Sequence, residues 1–290
     1  MLCLTTLFWA GNFVLARAFT VEIPPITMAS IRWTTALVLL LPFVIPTIYR
    51  HWPIIKRHLP ILILLGSLSV GAFNTLAYIG LQYTTAVNGT LMQSSMPIMI
   101  LLLSAIFLKE VASVKQWLGV GVSLCGVLVL ISRADLAMLK SLQFNPGDLW
   151  VLLGMLVWGI YSILLRWRPK GLSGFTLFSV TLMVGVIILA PLAVVEMQDK
   201  APIVWNTDLY YLIGYLAVFP SILAYLFWNY GVEKLGAHAA GLFIHLVPLW
   251  GMILSVSFLG EKLYAFHFWG IVLIFSGIYL AVISGKKQKS

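Results

Sequence analysis

The sequence contains few charged residues. Of its 290 residues, 61% are hydrophobic and only 9% are charged, whereas a soluble domain carries roughly 25% charged residues. This number of charged side chains is too small to cover the outside of a soluble chain of this length. The outer surface must therefore face an apolar medium. The composition therefore excludes a soluble globule and predicts a membrane protein whose function lies within or between its helices.

Cysteines and catalytic motifs are also scarce. Cys3 and Cys125 lie inside apolar segments without CxxC spacing, which excludes a disulfide framework and a cysteine metal cluster; we expect both to be small core residues. No Asp or Glu lies in the middle of an apolar segment, and no HExxH motif occurs. An intramembrane enzyme needs a nucleophile, an acid or a metal cluster at one depth. We therefore predict no enzymatic activity, no metal site and no cofactor.

The apolar segments lack the alternation of polar and apolar residues that a transmembrane β-barrel requires. Runs such as residues 61–65 and 98–103 are apolar on every face, so we predict helical spans. The net charge of +9 does not indicate a nucleic-acid partner, because the basic residues lie in short loops between the spans. No nucleic-acid partner is expected.

Polar residues and prolines divide the chain into ten apolar stretches, and each is about long enough for one spanning helix. The predicted fold is therefore an all-α polytopic membrane protein with ten transmembrane helices. The stretches cover approximately residues 2–19, 26–48, 60–82, 86–108, 113–132, 148–166, 173–195, 209–232, 236–259 and 264–284. The longest polar link, residues 133–147, lies near the midpoint of the chain.

The basic residues predict the orientation. An even number of spans leaves both termini on one side of the membrane. If that side is the cytoplasm, twelve Lys and Arg residues lie inside and five lie outside, which is the distribution that the positive-inside rule favours. We therefore expect both termini to be cytoplasmic.

The second half of the chain weakly repeats the first. Shifts of 149 to 151 residues align the following pairs: Trp9 with Trp158, Gly80 with Gly231, Pro97 with Pro248, Glu110 with Glu261, Gly119 with Gly270 and Gly126 with Gly277. Each half contains five spans, an odd number, so the second copy must cross the membrane in the opposite sense. Inverted repeats are typical of secondary transporters, where they give access from either side.

Several motifs resemble the EamA-type domain of the drug/metabolite transporter (DMT) superfamily. In the first half they are FWAGNF at 8–13, SIRW at 30–33, Pro97, LKE at 108–110 and QWLG at 116–119; in the second half they are Pro248, LGEK at 259–262, Gly270 and Gly277. The resemblance implies a first five-helix repeat at 1–132, a connecting loop at 133–147, a second repeat at 148–284 and a basic cytoplasmic tail at 285–290. The chain is most similar to the YddG-type bacterial inner-membrane exporters. That likeness implies ten helices around a central cavity and export of aromatic and other amino acids.

Polar and aromatic side chains within the spans are the candidates for a substrate cavity. An amide in hydrocarbon costs several kcal/mol unless it is hydrogen-bonded, so Asn12 should face the bundle interior. Asn74 and Tyr78 are four residues apart and share a helix face. Interhelical hydrogen bonding by the amides and interface anchoring by the aromatic residues remain alternatives. The full candidate set is Trp9, Asn12, Asn74, Tyr78, Gln93, Trp158, Tyr161, Trp228, Asn229 and His245.

Three residues within the spans are candidates for a gate or a hinge. His245 lies near the middle of its span and could be a proton-responsive gate, a substrate donor or a neutral histidine bonded to a neighbouring helix. Pro97 and Pro248 each remove a backbone hydrogen bond and should kink their helices. Each kink could act as a hinge or as a static bend.

Other residues are assigned structural roles. Arg32 is expected near the outer end of its span, where it snorkels or ties a helix end, with binding of a substrate carboxylate as the alternative. The second half has no equivalent arginine. Glu110 and Glu261 are expected to form salt bridges at span ends. Close helix packing is expected at the glycines of the fifth and tenth stretches: Gly119, Gly121, Gly126, Gly270 and Gly277.

These features predict a bacterial inner-membrane exporter of aromatic and amphipathic amino acids and related small metabolites. It would work by alternating access, either as a uniporter or with weak proton coupling through His245. A broad-specificity multidrug exporter is the alternative, because an aromatic cavity would serve it equally well. The expected partners are a small-molecule substrate and the lipid bilayer, and the sequence leaves the oligomeric state open. Phosphorylated sugars are poor candidates, because no Lys or Arg is expected in the middle of a span.

Overall fold

The computed structural model describes residues 1–19, 23–84, 86–140, 145–259 and 264–286. Within these ranges the chain is almost entirely helical and contains no β-strand, which confirms the all-α prediction. The α-helices are α1 (Leu2–Phe19), α2 (Pro25–Arg57), α3 (Leu59–Gly66), α4 (Asn74–Tyr83), α5 (Ala86–Gln93), α6 (Met96–Leu108), α7 (Val114–Ser132), α8 (Leu136–Lys140), α9 (Pro146–Leu164), α10 (Gly174–Met197), α11 (Thr207–Leu216), α12 (Ala224–Leu235), α13 (Ala237–Leu242), α14 (Leu246–Leu259) and α15 (Ala265–Lys286).

Eight helical segments in the described part of the chain are long and apolar enough to cross a membrane. They are Pro25–Arg57, Leu59–Tyr83, Leu91–Leu108, Val114–Ser132, Pro146–Trp167, Gly174–Glu196, Thr207–Leu235 and Ala237–Leu254. Large apolar side chains such as Phe43, Ile106 and Ile187 are exposed on the outside of the bundle. The protein is therefore a polytopic membrane protein, as the shortage of charge predicts.

The second helix is longer than predicted. It runs to Arg57 and contains three internal prolines, whereas its apolar stretch ends near residue 48. The predicted end is wrong because a helix can continue beyond its apolar stretch. Polar side chains in the added turns can hydrogen-bond to water outside the membrane. Lys56 and Arg57 in the last turn also interact favourably with the negative end of the helix dipole.

Four interruptions divide the longer helical segments. Ser67–Phe73 and Ala217–Leu223 are π-helical and join α3 to α4 and α11 to α12; we name them the first and second π-segments. A turn at residues 94–95 precedes α6, and a 3₁₀ turn at Phe243–His245 precedes α14.

Pro97 and Pro248 lie in the first turns of α6 and α14, directly after those two turns. Each therefore begins a new helical segment, instead of bending a continuous helix as the sequence predicts. A proline is well tolerated in a first turn, because the backbone N–H groups there have no intrahelical acceptor.

Helices α7 and α15 pack closely through glycines. A Cβ atom added to Gly119 would lie 2.6 Å from the carbonyl oxygen of Gly277, and one added to Gly126 would lie 2.7 Å from that of Gly270. These contacts confirm the predicted close packing at four of the five glycines. A Cβ atom added to Gly121 would meet open space, so the prediction is wrong there.

Both cysteines are exposed, which corrects the expectation that they are core residues. An apolar residue in a span can face lipid as readily as the core, and sequence alone does not distinguish the two. Glu110 pairs with Arg166 as predicted. Glu261 and the tail residues 287–290 lie outside the described residues, so the expectations for them stay predictions.

Candidate functional site

A cluster of buried aromatic rings occupies the centre of the bundle. Trp158 of α9 has its ring centroid 5.1 Å from Trp9 of α1, 4.9 Å from Tyr225 and 5.6 Å from Trp228 of α12. Phe73, at the end of the first π-segment, lies 4.6 Å from Trp158. These rings contact one another and fill the place where the sequence predicts an open cavity. Four separate helical segments contribute to this aromatic cluster.

Arg32 lies beside this cluster and is fully buried. Its Nε donates to Ser221 Oγ at 2.5 Å, and its Nη1 lies 2.7 Å from Tyr78 OH, 2.9 Å from Asn74 Oδ1 and 3.1 Å from Asn12 Oδ1. The expectation that Arg32 snorkels at the outer end of its span is therefore wrong. Seven residues of α2 precede it, about two helical turns, and its side chain turns into the bundle to reach acceptors on α1, α4 and the second π-segment.

The side chains that accept hydrogen bonds from Arg32 donate hydrogen bonds of their own. Asn74 Nδ2 donates to Tyr225 OH at 2.9 Å, and Tyr225 OH donates to the carbonyl of Ser69 at 2.8 Å. Ser221 Oγ donates to the carbonyl of Leu216 at 2.6 Å. The network therefore presents neutral oxygen acceptors to the guanidinium, and two of its hydroxyl donors end on the backbone carbonyls of Ser69, in the first π-segment, and of Leu216, at the end of α11.

Two tyrosine–asparagine hydrogen bonds flank the aromatic rings. Tyr78 OH donates to Asn12 Oδ1 at 2.8 Å, joining α4 to α1, and Tyr161 OH donates to Asn229 Oδ1 at 2.7 Å, joining α9 to α12. All four residues are buried. Each bond ties one helix to another across the bundle interior.

The three tryptophans of the cluster differ in their hydrogen bonding. Trp9 Nε1 donates to the carbonyl of Pro220 at 3.3 Å, and Trp228 Nε1 donates to Ser162 Oγ at 3.2 Å. Trp158 Nε1 is buried and has no partner among the described residues. An indole N–H without an acceptor is an unusual buried group.

His245 lies in the 3₁₀ turn before α14 and contacts the turn before α6. Its Nε2 lies 2.9 Å from the carbonyl of Ser94, in the turn between α5 and α6, and its Nδ1 lies 2.5 Å from Ser123 Oγ of α7. Gln93, beside that turn, is buried and both of its amide atoms lack a partner in the described part of the chain. His245 therefore contacts a neighbouring helix break, and none of its hydrogen bonds reaches the aromatic cluster.

The structure brings eight of the ten candidate cavity residues into one connected set: Trp9, Asn12, Asn74, Tyr78, Trp158, Tyr161, Trp228 and Asn229. Sequence reasoning missed Tyr225 and Ser221 and left Arg32 outside the set. Tyr225 could have been found, since it lies 151 residues after Asn74, the spacing that relates the two halves. The signal available for Arg32 was its position as a charged residue within an apolar stretch.

Polar contacts tie the helices at both ends of the bundle. At one end, Arg166 pairs with Glu110 and Arg168 pairs with Glu233 at 2.9 Å. At the other end, Asp148 accepts hydrogen bonds from Thr84 and Asn88, which joins the start of α9 to the end of α4 and the start of α5. The aromatic cluster lies on helices that span between these two ends.

Comparison with known proteins identifies related chains. The EamA-like transporter family model matches residues 1–132 and 145–283. The uncharacterized transporter YyaM of Bacillus subtilis is 30% identical over 284 residues, which are 95% of this chain and 90% of YyaM. A probable terminal-alkyne amino-acid exporter of Streptantibioticus cattleyicolor is 25% identical over 207 residues, 71% of this chain and 67% of the exporter. A solved crystal structure with 17% identity superposes with a TM-score of 0.77 over 100% of this chain and 98% of its own, so it shares the fold.

Proposed function

The chain belongs to the EamA-like transporter family, and we propose that it exports aromatic and other amphipathic amino acids across the bacterial inner membrane by alternating access. The observation that carries this proposal is the aromatic cluster with its buried amides and hydroxyls. Stacked rings suit an apolar or aromatic side chain, and a few fixed polar groups suit the amino and carboxylate groups beside it. One relative is named as a probable amino-acid exporter, which supports the same substrate class.

The proposed architecture is ten transmembrane helices in two inverted five-helix repeats, with α1 and α15 as the first and last spans. Matching features recur about 150 residues apart. The two π-segments begin at Ser67 and Ala217. Gly119 packs on Gly277 and Gly126 packs on Gly270, a crossed pattern that an inverted pseudo-twofold axis produces.

The tyrosine–asparagine bonds also support the repeat. Asn12 and Tyr161 correspond under a shift of 149 residues, and Tyr78 and Asn229 correspond under a shift of 151. Each half therefore keeps the hydrogen bond with the two residue types exchanged. Two equivalent halves around one site are typical of transporters that work by alternating access.

In the proposed cycle the rings separate to admit substrate, since they contact one another in this structure. The ends of the bundle open in turn, first the end that carries Arg166 and Arg168 and then the end that carries Asp148. The excess of basic residues in one set of loops supports a cytoplasmic location for the first of these ends and for both termini.

The test is efflux from proteoliposomes with a panel of amino acids, sugars and organic cations. We expect export of aromatic amino acids and a several-fold slower rate for Trp158→Phe, which removes the free indole N–H and part of the ring surface. The matched control is Trp150→Phe, the same change on the exposed face of α9, which should leave the rate unchanged. Export of organic cations at equal rates would favour the multidrug alternative. Equal rates for both variants would remove Trp158 from the site.

A further inference from the structure

We propose that Arg32 binds the carboxylate of the transported substrate, and that this carboxylate, not the ammonium group, is the charge that the site recognises. This assignment rests on the proposed function, because it names the binding group within the same site. It would extend the substrates to monocarboxylates with an apolar or aromatic tail and no amino group.

The hydrogen-bond inventory of Arg32 is the first argument. A guanidinium has five N–H donors. The Nε donor and the two Nη1 donors are directed to Ser221, Asn12, Asn74 and Tyr78. Nη2 is buried and has no partner in the part of the chain that the structure describes. Two donors of a buried cation are therefore free to bind an acceptor from outside the chain.

The charge of Arg32 is the second argument. Its four side-chain partners are neutral, and both salt bridges among the described residues lie at helix ends and involve other arginines. An intramembrane cation without a counter-ion costs several kcal/mol. A substrate carboxylate would supply the missing charge and form a charge-assisted hydrogen bond.

The unpartnered groups of the aromatic cluster and of the residues joined to it are the third argument. In the aromatic cluster and the residues joined to it, every buried side-chain polar atom without a described partner is a donor: Arg32 Nη2, Trp33 Nε1, Trp158 Nε1 and Asn229 Nδ2. Trp33 lies under the guanidinium, 4.9 Å from Cζ to the ring centroid, and contacts Tyr225. Because the unpartnered atoms of this set are all donors, they favour an anion, and none of these residues offers a carboxylate to an ammonium group.

Three compounds with the same phenyl ring distinguish recognition of the carboxylate from recognition of the ammonium group. They are L-phenylalanine, 3-phenylpropionate, which lacks the amino group, and phenethylamine, which lacks the carboxylate. Binding to the purified wild-type protein is measured from tryptophan fluorescence and from the thermal unfolding midpoint. We expect the two carboxylates to bind similarly and phenethylamine to bind at least about tenfold more weakly, since it lacks the hydrogen bond to a charged group. Equal binding of phenethylamine would overturn the assignment.

Variants of Arg32 test the residue itself. Arg32→Gln should lose the preference for 3-phenylpropionate over phenethylamine, and Arg32→Lys should keep part of it because the positive charge remains. Arg50→Gln, at an exposed position of the same helix, is the matched control and should bind as wild type does. If Arg32 had only a structural role, Arg32→Gln would weaken the binding of all three compounds together. That result would contradict the proposal.

The outcomes distinguish this inference from the proposed function. Export of phenylalanine with equal competition by phenethylamine would refute the role of Arg32 and leave amino-acid export standing. Binding of 3-phenylpropionate without export of phenylalanine would refute amino-acid export and leave the carboxylate site standing. Binding of none of the three compounds would refute both.

Discussion

His245 holds a position in which each ring nitrogen has one buried partner. A carbonyl only accepts hydrogen bonds, so Nε2, which contacts the carbonyl of Ser94, carries a proton. Ser123 Oγ contacts Nδ1 and also lies 3.1 Å from the carbonyl of Val120. With one hydroxyl proton, Ser123 can donate to only one of them, so the protonation of Nδ1 is coupled to the direction of the Ser123 hydroxyl.

We predict that His245→Gln keeps most of the transport rate and that His245→Ala lowers it severalfold. A glutamine amide has an NH₂ donor group and a carbonyl acceptor that can replace the two imidazole contacts, whereas alanine removes both hydrogen bonds, each worth about 0.5–1.5 kcal/mol. Initial rates in proteoliposomes, with and without an imposed pH gradient, provide the measurement. Wild-type transport by His245→Ala would contradict the prediction. A gradient dependence that survives in both variants would exclude proton coupling through His245.

The sequence predicts the inward-facing residues better than their partners. Asn12, Asn74 and Tyr78 could be placed in the interior because amides and hydroxyls in hydrocarbon need hydrogen bonds. Arg32 was misplaced because a long side chain near a helix end can either snorkel outward or turn inward. The choice depends on Ser221, which is 189 residues away in the chain, and no local pattern shows that contact.

At the level of elements, the contact between α7 and α15 depends on the absence of side chains. The carbonyls of Gly277 and Gly270 occupy the space where Gly119 and Gly126 would carry Cβ atoms. Small residues at such an interface let two helix backbones approach closely, and the association gains from van der Waals packing.

Gly119→Ala should therefore destabilise the protein, and Gly121→Ala, on the same helix, should not. The added methyl group at position 119 would clash with Gly277 and Ala281, whereas position 121 is open. Overpacking costs about 1–3 kcal/mol, and glycine-to-alanine replacement in an open helical position gains roughly 0.5–1 kcal/mol. The thermal unfolding midpoint in detergent should fall for Gly119→Ala and stay level or rise for Gly121→Ala. The same midpoint for both variants would show that the helices are not tightly packed there.

Helix bounds were more predictable than helix geometry. The apolar stretches locate most helices to within a few residues, because a span needs about 20 apolar residues. The π-segments were not predicted, since their sequences, SLSVGAF and AVFPSIL, share no pattern. Side chains from elsewhere bind their carbonyls: Tyr225 donates to Ser69 and Trp9 donates to Pro220. These contacts form only when the whole bundle assembles.

At the scale of the molecule, two exposed ion pairs join helices at the end that we propose to face the cytoplasm. Arg166 and Arg168 follow α9, and their partners Glu110 and Glu233 lie after α6 and near the end of α12. The pairs therefore connect the end of α9 to the ends of α6 and α12. An exposed ion pair contributes at most about 1 kcal/mol, so such a tie can be broken during a transport cycle.

Reversing one charge should open this end. In Arg168→Glu, repulsion from Glu233 replaces attraction, and a change of about 1 kcal/mol would raise the open population roughly fivefold. The double variant Arg168→Glu with Glu233→Arg restores the pair and should restore the wild-type population. Because the pair is exposed, both effects should shrink at high salt.

The readout is the labelling rate of a cysteine at position 232 by a maleimide that does not cross membranes. Val232 is buried beside Glu233 in α12, and Val232→Cys would be made after replacing the exposed Cys3 and Cys125 by serine. We expect faster labelling in Arg168→Glu than in its parent, and the parent's rate in the charge-swapped double variant. If the double variant labels as fast as Arg168→Glu, the arginine side chain, not the ion pair, controls access at this end. If none of the three differs, the Arg168–Glu233 pair does not control access at this end of the bundle.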